Sequence, residues 1–149
     1  MNGNIFLDTN VLVYAYDRSE PLKQQRALDV LTGLTSVGTG SISTQVIGEM
    51  FVALTGKLKS TLSIEDGLKR VEQHLQIWRL LDITPFVVLE AVRGVRRHHL
   101  SYWDAQIWAT ARMHGIPVVF SEDFSDGMLL EGVRFVNPIS PHFKIADWL

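Results

Sequence analysis

Four acidic positions, spread along the chain, could together carry out chemistry. They are Asp8, Glu49, Asp104 and one of the pair Asp123 and Asp126. Carboxylates that converge from separate elements repel one another and take up protons unless a cation holds them. In a chain without cysteine, oxygen ligands of this kind suit Mg²⁺ or Mn²⁺. Such an ion activates water and neutralises charge on a phosphate, so the pattern predicts metal-assisted hydrolysis of phosphodiester bonds.

Two of these acids follow apolar segments that are expected to be buried strands. Asp8 comes directly after residues 4–7, and Asp123 follows residues 118–120. Ligands of open α/β sheets collect at the carboxyl ends of the strands, which makes both carboxylates candidates for a site. Asp8 has the alternative role of a helix N-cap. Asp126 forms a typical turn pair with the glycine after it, so Asp123, nearer to the strand end, is preferred as the fourth acid.

Asp104 and Glu49 differ in their predicted positions relative to the apolar faces of their helices, and Asp104 is the stronger candidate for a site residue. At about 100° per residue, Asp104 falls inside the apolar arc that contains Trp103 and Trp108. A carboxylate on a core-facing side costs several kcal/mol unless it is paired or bound to metal. The alternative is a capping box in which Asp104 folds back onto Ser101. Glu49 lies at the rim of its helix's apolar face, where it is either solvated or reaches into a pocket.

Strands and helices are expected to alternate along the chain. The predicted strands are residues 4–7, 38–43, 78–83, 118–120 and 133–136, and the predicted helices are 21–31, 44–55, 63–76, 84–98 and 101–114. This alternation is typical of a three-layer α/β fold with a central parallel sheet and helices on both faces. No linker or low-complexity segment divides the sequence, so a single domain over residues 1–149 is expected.

Composition and charge narrow the class of protein. The 149 residues are 46% hydrophobic and 20% charged, which is typical of a soluble globular chain. No run approaches the roughly 18–20 apolar residues of a membrane span, and the start lacks the features of a signal peptide. With no cysteine, a cytoplasmic protein is expected. The formal charge of −2 argues against a protein that coats nucleic acid, but not against an enzyme that binds it through a local patch.

Four segments, in order, resemble the motifs of the PIN domain family of ribonucleases, and within it the VapC-like toxins of bacterial toxin–antitoxin pairs. The segments are residues 4–14, 43–49, 101–107 and 121–123, and residues 136–138 resemble the chain end of that family. The resemblance covers nearly the whole chain. It implies a PIN-like fold, an endoribonuclease that uses Mg²⁺ or Mn²⁺, an RNA substrate, a cognate antitoxin and a homodimer.

The resemblance also implies roles for individual residues. Asp8 and Asp104 are expected to be direct metal ligands, with Glu49 and Asp123 completing the catalytic acidic pocket. Candidates to support the metal, the water or the phosphate are Thr9, Asn10, Ser121 and Asp126.

Basic and aromatic residues provide further candidates. The densest basic segment contains Arg93, Arg96 and Arg97, which are candidates for RNA contacts, although a solvated helix face explains each of them equally well. The same two interpretations apply to Lys57 and Lys59. Four tryptophans are many for a chain of 149 residues, and tryptophan is enriched at interfaces. Aromatic and aliphatic residues of the later helices are therefore expected in the core or in a dimer contact.

Two other functions fit parts of the pattern. A metal-dependent phosphatase of the haloacid dehalogenase type also has an aspartate after its first strand, but its second aspartate, two residues later, is Asn10 here. A noncatalytic PIN-like module that binds a protein partner would not need all four acids. Bound metal distinguishes the cases, because a noncatalytic module is expected to hold no ion between Asp8 and Asp104.

Overall fold

Six short strands form one sheet in the computed structural model, which describes residues 4–56 and 61–149. The strands are β1 (Ile5–Leu7), β2 (Gly40–Ser43), β3 (Arg79–Leu81), β4 (Val118–Phe120), β5 (Leu129–Leu130) and β6 (Val133–Val136). Their order across the sheet is β3-β2-β1-β4-β6-β5. All neighbouring strands are parallel except β5 and β6. The predicted sheet is therefore confirmed, apart from the antiparallel edge strand β5, which was not predicted.

The described residues also form six α-helices and a final 3₁₀ helix. They are α1 (Thr9–Tyr14), α2 (Pro21–Val37), α3 (Thr44–Gly56), α4 (Ile64–Ile77), α5 (Pro85–His98), α6 (Tyr102–Met113) and the 3₁₀ helix Ile145–Trp148. Helix α2 is longer than predicted and ends at Gly38, whose φ of 72° favours glycine. Helix α1 was expected only through the alternative role of Asp8 as a helix N-cap, and its valines favour strands. Burial of Val11 and Leu12 outweighs that propensity.

The order of the strands reverses at β1. From β1 the chain adds β2 and β3 on one side, and it then places β4 on the other side of β1. Leu7 lies opposite Phe120 in the register of β1 and β4, and the Asp8 backbone N–H donates to the Phe120 carbonyl at 3.0 Å. Open α/β sheets bind their ligands at such a switch point. A ligand site is therefore expected at the residues directly after β1 and β4.

Helix α6 is enclosed by the rest of the protein, and all of its residues from Ala105 to Ala111 are buried. Trp108 lies in the core as expected, whereas Trp103 is 62% exposed, so the predicted apolar arc is wrong at that residue. Gly94 of α5 packs against the Trp108 ring, where an added Cβ would lie 2.8 Å from a ring carbon. This close packing of α5 on α6 fixes the beginning of α6, which carries Asp104.

Some expectations concern residues outside this structure. Lys57, Lys59 and the first three residues of the chain lie outside the described residues. Across the two ranges that the structure describes, no helix has both the length and the apolar character to cross a membrane.

Candidate active site

Asp8 lies at the carboxyl end of β1 and is 4% exposed. Its Oδ1 accepts a hydrogen bond from the Thr9 backbone N–H at 2.7 Å, and its Oδ2 accepts one from the Ser121 hydroxyl at 2.7 Å. Asp8 is thus the N-cap of α1 and also faces the end of β4. Burial raises the pKa of Asp8 to about 7, with smaller contributions from Asp123 and Glu49, against the lowering effect of the two hydrogen bonds.

Side chains from α1 and from the loop after β4 connect the two strand ends. The buried Ser121 hydroxyl donates to Asp8 and accepts from the Asp123 backbone N–H at 3.0 Å. The Asn10 amide nitrogen donates to the Asp123 carboxylate at 3.1 Å, and its amide oxygen accepts from the Glu122 backbone N–H at 3.2 Å. Asn10 and Ser121, both predicted as supporting residues, therefore hold Asp123 next to Asp8.

Glu49 reaches the same place from α3. Its Oε1 accepts a hydrogen bond from the Thr9 hydroxyl at 2.9 Å, and Thr9 directly follows Asp8. The side chain of Glu49 is exposed, and its charge is one of those that raise the pKa of Asp8. The predicted position at the rim of the helix is therefore compatible with a place at the edge of the site.

Asp104 approaches from the first turn of α6. Its backbone N–H donates to the Ser101 hydroxyl at 3.2 Å, so Ser101 caps this helix as predicted. The Asp104 side chain is half-buried. Burial raises the pKa of its carboxyl group, the Ser101 hydrogen bond lowers it, and the nearby charge of Asp123 raises it further. Asp104 and Asp8 are therefore both close enough to Asp123 to interact with its charge.

Asp126 has a different partner. Its Oδ1 accepts a hydrogen bond from the Asn137 backbone N–H at 2.9 Å, which joins the loop after β4 to the segment after β6. The carboxylates that raise the pKa of Asp8 are those of Asp123 and Glu49. The geometry thus favours Asp123 over Asp126 as the fourth acid, and Asp126 has a structural role in its turn.

The donor set of the site suits a hard divalent cation. Asp8, Glu49, Asp104 and Asp123 provide carboxylate oxygens, which are the ligands that Mg²⁺ and Mn²⁺ prefer. Over residues 4–56 and 61–149, no three His, Asp or Glu side chains are arranged so that they could hold one ion by themselves. Mg²⁺ is usually bound by one or two carboxylates and keeps several waters, so the residues fit this ion without forming a complete cage.

A second polar cluster beside the site was not predicted from the sequence. The Tyr14 hydroxyl donates to Glu122, and the Lys23 ammonium lies 3.0 Å from the other carboxylate oxygen of Glu122. Lys23 also lies 5.0 Å from the centre of the Tyr14 ring. Because Glu122 precedes Asp123, this cluster anchors the loop after β4 to α1 and α2. Contacts between three separate elements leave no local signal in a sequence.

The three arginines of the basic segment differ in their surroundings. The Arg93 guanidinium pairs with Glu90, and it contacts both carboxylate oxygens of Glu131 at 2.9 and 3.0 Å. Its charge is therefore balanced within the protein, which argues against the predicted RNA contact. Arg96 and Arg97 are exposed, and together with Arg93 and His99 they line a groove of about 530 Å³. These two arginines stay candidates for RNA contacts.

The sequence profile of the PIN domain matches residues 5–125 of this chain. This match covers most of the chain and includes the four candidate acids Asp8, Glu49, Asp104 and Asp123. The chain therefore belongs to the PIN domain family, as its motifs suggested. A comparison with curated protein sequences finds no significant match.

Several solved structures share this fold. A toxin–antitoxin complex from Klebsiella pneumoniae aligns with 20% identity and a TM-score of 0.65, over 90% of this chain and 97% of that one. VapC20 from Mycobacterium tuberculosis, a sarcin-ricin loop cleaving toxin, aligns with 22% identity and a TM-score of 0.64, over 87% and 98%. DNA-bound VapBC from Salmonella typhimurium aligns with 19% identity and a TM-score of 0.63, over 91% and 97%. At these identities the likeness concerns the fold, and it confirms the PIN-like architecture.

Proposed function

We propose that this chain is a divalent-metal-dependent endoribonuclease and the toxin of a toxin–antitoxin pair. The observation that carries the proposal is the buried Asp8 at the switch point, with the charges of Glu49 and Asp123 acting on it and Asp104 close to Asp123. Such a set of acids is matched to a cation, and carboxylate-bound Mg²⁺ suits phosphodiester hydrolysis. Membership of the PIN domain family favours this function over a phosphatase.

Each residue of the site has a part in this mechanism. Asp8 and Asp104 would hold the ion, and Glu49 and Asp123 would complete the acidic pocket. Mg²⁺ or Mn²⁺, when bound there, supplies a Lewis acid that activates water and offsets charge on the scissile phosphate. Hydrogen bonds from the Thr9 N–H and the Ser121 hydroxyl fix the orientation of the Asp8 carboxylate.

Support for a protein partner comes from the structural neighbours. One neighbour is a toxin–antitoxin complex, and another is VapBC bound to DNA. We infer that this chain likewise has a cognate antitoxin, and that it acts in the cytoplasm as a single PIN-like domain over residues 1–149. An antitoxin arginine among the four carboxylates would replace the charge of the cation.

The first test of this function is metal removal. Cleavage of RNA by the purified protein is expected to stop in EDTA and to return with excess Mg²⁺ or Mn²⁺. Because water rather than the ribose 2′-hydroxyl is the nucleophile, the products should carry 5′-phosphate and 3′-hydroxyl ends, which end-specific labelling on denaturing gels detects. Cleavage that persists in EDTA, or 2′,3′-cyclic phosphate ends, would contradict the mechanism. Absence of both cleavage and metal binding would favour the noncatalytic module.

We also propose a homodimer, which exposed apolar side chains of the later helices support. Phe86 and Leu89 of α5 are each 68% exposed, and Trp103 of α6 is 62% exposed. Phe86 and Leu89 are three residues apart on one face of α5, and adjacent exposed apolar side chains, unlike single ones, mark surfaces where proteins associate. Sedimentation at micromolar concentration is expected to give a dimer, and Leu89→Glu should shift it to a monomer. Leu22→Glu, at a 71% exposed position of α2, is the matched control. A parent protein that sediments only as a monomer would contradict this proposal.

A further inference from the structure

A cationic cavity lies at the far end of α1 from Asp8. We call this cavity, which has a volume of about 410 Å³, the arginine pocket. It is lined by Tyr16, Arg18, Gln24, Thr61, Leu62 and Arg70. One wall is anchored to α3, because the Leu62 backbone N–H donates to the Leu54 carbonyl at 2.8 Å. The pocket is separate from the acidic site and shares no residue with it.

The two arginines of this pocket lack an acidic partner in the described part of the chain. Neither Arg18 nor Arg70 forms an ion pair there, in contrast to Arg93. Arg70 donates from Nη1 to the neutral Gln73 at 3.0 Å, so among the described residues no carboxylate balances its charge. A guanidinium without an internal counter-charge is suited to pair with an anion from outside the chain.

A third donor is fixed by a buried histidine. The indole N–H of Trp78 donates to His74 Nδ1 at 2.9 Å, and an indole nitrogen can only donate. In the neutral ring the proton is therefore on Nε2, which donates to the Tyr16 hydroxyl oxygen at 2.8 Å. Burial, assisted by the charge of Arg70, lowers the pKa of His74 to about 4, so the ring is neutral near pH 7. The Tyr16 hydroxyl therefore keeps its own proton and stays a donor. The Tyr16 side chain lines the arginine pocket and also the neighbouring cavity that His74 lines.

Two guanidinium groups and a hydroxyl are suited to an anion with several oxygens, such as a phosphate. The acidic site itself repels RNA, so affinity for a polyanion has to come from cationic surfaces elsewhere. The six-residue helix α1 separates Asp8 from the pocket, which corresponds to about 9 Å at the helical rise of 1.5 Å per residue. A strand with one phosphate per nucleotide can occupy both places at once.

We propose that the arginine pocket binds a backbone phosphate of the RNA substrate, a few nucleotides from the scissile bond. This inference rests on the proposed ribonuclease function. It assigns Arg18, Arg70 and Tyr16 to substrate binding, away from the reacting atoms. The pocket thereby adds a sequence-independent contact, because a phosphate is present at every nucleotide.

The test measures binding of a short single-stranded RNA oligonucleotide by fluorescence anisotropy in EDTA, so that cleavage does not interfere. Arg70→Gln and Arg18→Gln are each expected to weaken binding about tenfold, the equivalent of about 1.4 kcal/mol. Each should also reduce the slope of log K against log salt by about 0.7, the value for one phosphate contact of a single strand. Lys69→Gln is the matched control, because Lys69 is exposed on α4 beside Arg70 and outside the pocket.

A dinucleotide substrate separates phosphate binding from a structural effect. It has only one phosphodiester, the scissile one, so cleavage of it with Mg²⁺ should be the same in Arg70→Gln and in the parent protein. With the longer RNA, the KM of Arg70→Gln should rise while kcat stays close to the parent value. Equal losses on both substrates would overturn the proposal and show a structural role for Arg70. The exposed Arg18 provides a second variant that leaves the interior untouched.

The remaining outcomes distinguish this inference from the function on which it rests. If the parent protein binds RNA, and both arginine variants bind it with the same affinity as Lys69→Gln, the pocket proposal fails. The ribonuclease proposal is unaffected by that result. Weaker binding of poly-glutamate in those variants, with RNA binding unchanged, would overturn it in favour of a protein contact. If the parent binds and cleaves no RNA, the proposed function itself fails.

Discussion

Asp8→Asn is expected to reduce RNA cleavage by more than about 100-fold, since even outer-shell partners of metal ligands cost 10–100-fold. The substitution keeps the shape of the side chain and its acceptor for the Thr9 N–H, so the protein should fold. It removes the negative charge that would hold the ion. Initial cleavage rates at saturating Mg²⁺, together with Mn²⁺ affinity from calorimetry, measure the effect.

Two further variants make this experiment specific to the proposed site. Asp123→Asn should lose activity in the same way, because Asp123 lies close to both Asp8 and Asp104. Asp126→Asn should cleave RNA at the parent rate, because Asp126 only accepts a hydrogen bond from the Asn137 backbone. If Asp123→Asn cleaved RNA at the parent rate and Asp126→Asn were inactive, Asp126 and not Asp123 would be the fourth acid. Full activity in Asp8→Asn would rule out the whole site.

The metal-free protein is expected to become less stable as the pH rises from about 4 to about 7. Over this range Asp8 ionises in the unfolded chain but keeps its proton in the folded one, because burial raises its folded pKa to about 7. The folded state then binds more protons than the unfolded state, so the free energy of unfolding falls with pH. The gap between pKa 3.8 and about 7 corresponds to about 4 kcal/mol at about 1.4 kcal/mol per pH unit.

The measurement is urea unfolding in EDTA at several pH values, for the parent protein and for Asp8→Asn. The variant is needed as a reference because acids whose pKa is lowered on folding make the free energy of unfolding rise with pH, opposite to the effect of Asp8. Arg93 and His98, for example, lower the pKa of Glu131 to about 2. Asp8→Asn should be the more stable protein at pH 8, by less than the full 4 kcal/mol because it loses the Ser121 hydrogen bond. A pH dependence that is identical in the two proteins would contradict the raised pKa.

The alternation of strands and helices was predictable because each element carries its own local signal. Proline at the start of α2 and α5, and a capping serine before α4 and α6, mark helix starts that the structure confirms. Helix α1 was indicated only by the possible N-cap Asp8 and was given no bounds, because its valines favour strands and burial of Val11 and Leu12 decides their conformation. The two-residue strand β5 is too short to leave a pattern.

The acidic residues of the candidate site could be predicted from the sequence, but the hydrogen bonds and ion pairs that join them to distant residues could not. Asp8 was recognisable both as an N-cap and as a site residue, and in the structure one carboxylate occupies both positions. The choice between Asp123 and Asp126 needed the hydrogen bonds of Asn10, which join residues more than a hundred positions apart. Arg93 pairs with Glu90 on its own helix and with Glu131, which is 38 residues further along the chain; the second of these pairs leaves no local signal in the sequence.

The position of β1 in the sheet has a consequence for biosynthesis. β1 leaves the ribosome before its partner β4, which is more than a hundred residues later in the chain, and Ile5 pairs with Val118. Contacts between such distant residues form late, because the entropy of closing the intervening loop must be overcome first. Asp123 is translated after β4, so a growing chain cannot bring Asp8 and Asp123 together until β4 and the loop after it have been made. The acidic site therefore forms later in synthesis than the strand that carries its most buried carboxylate.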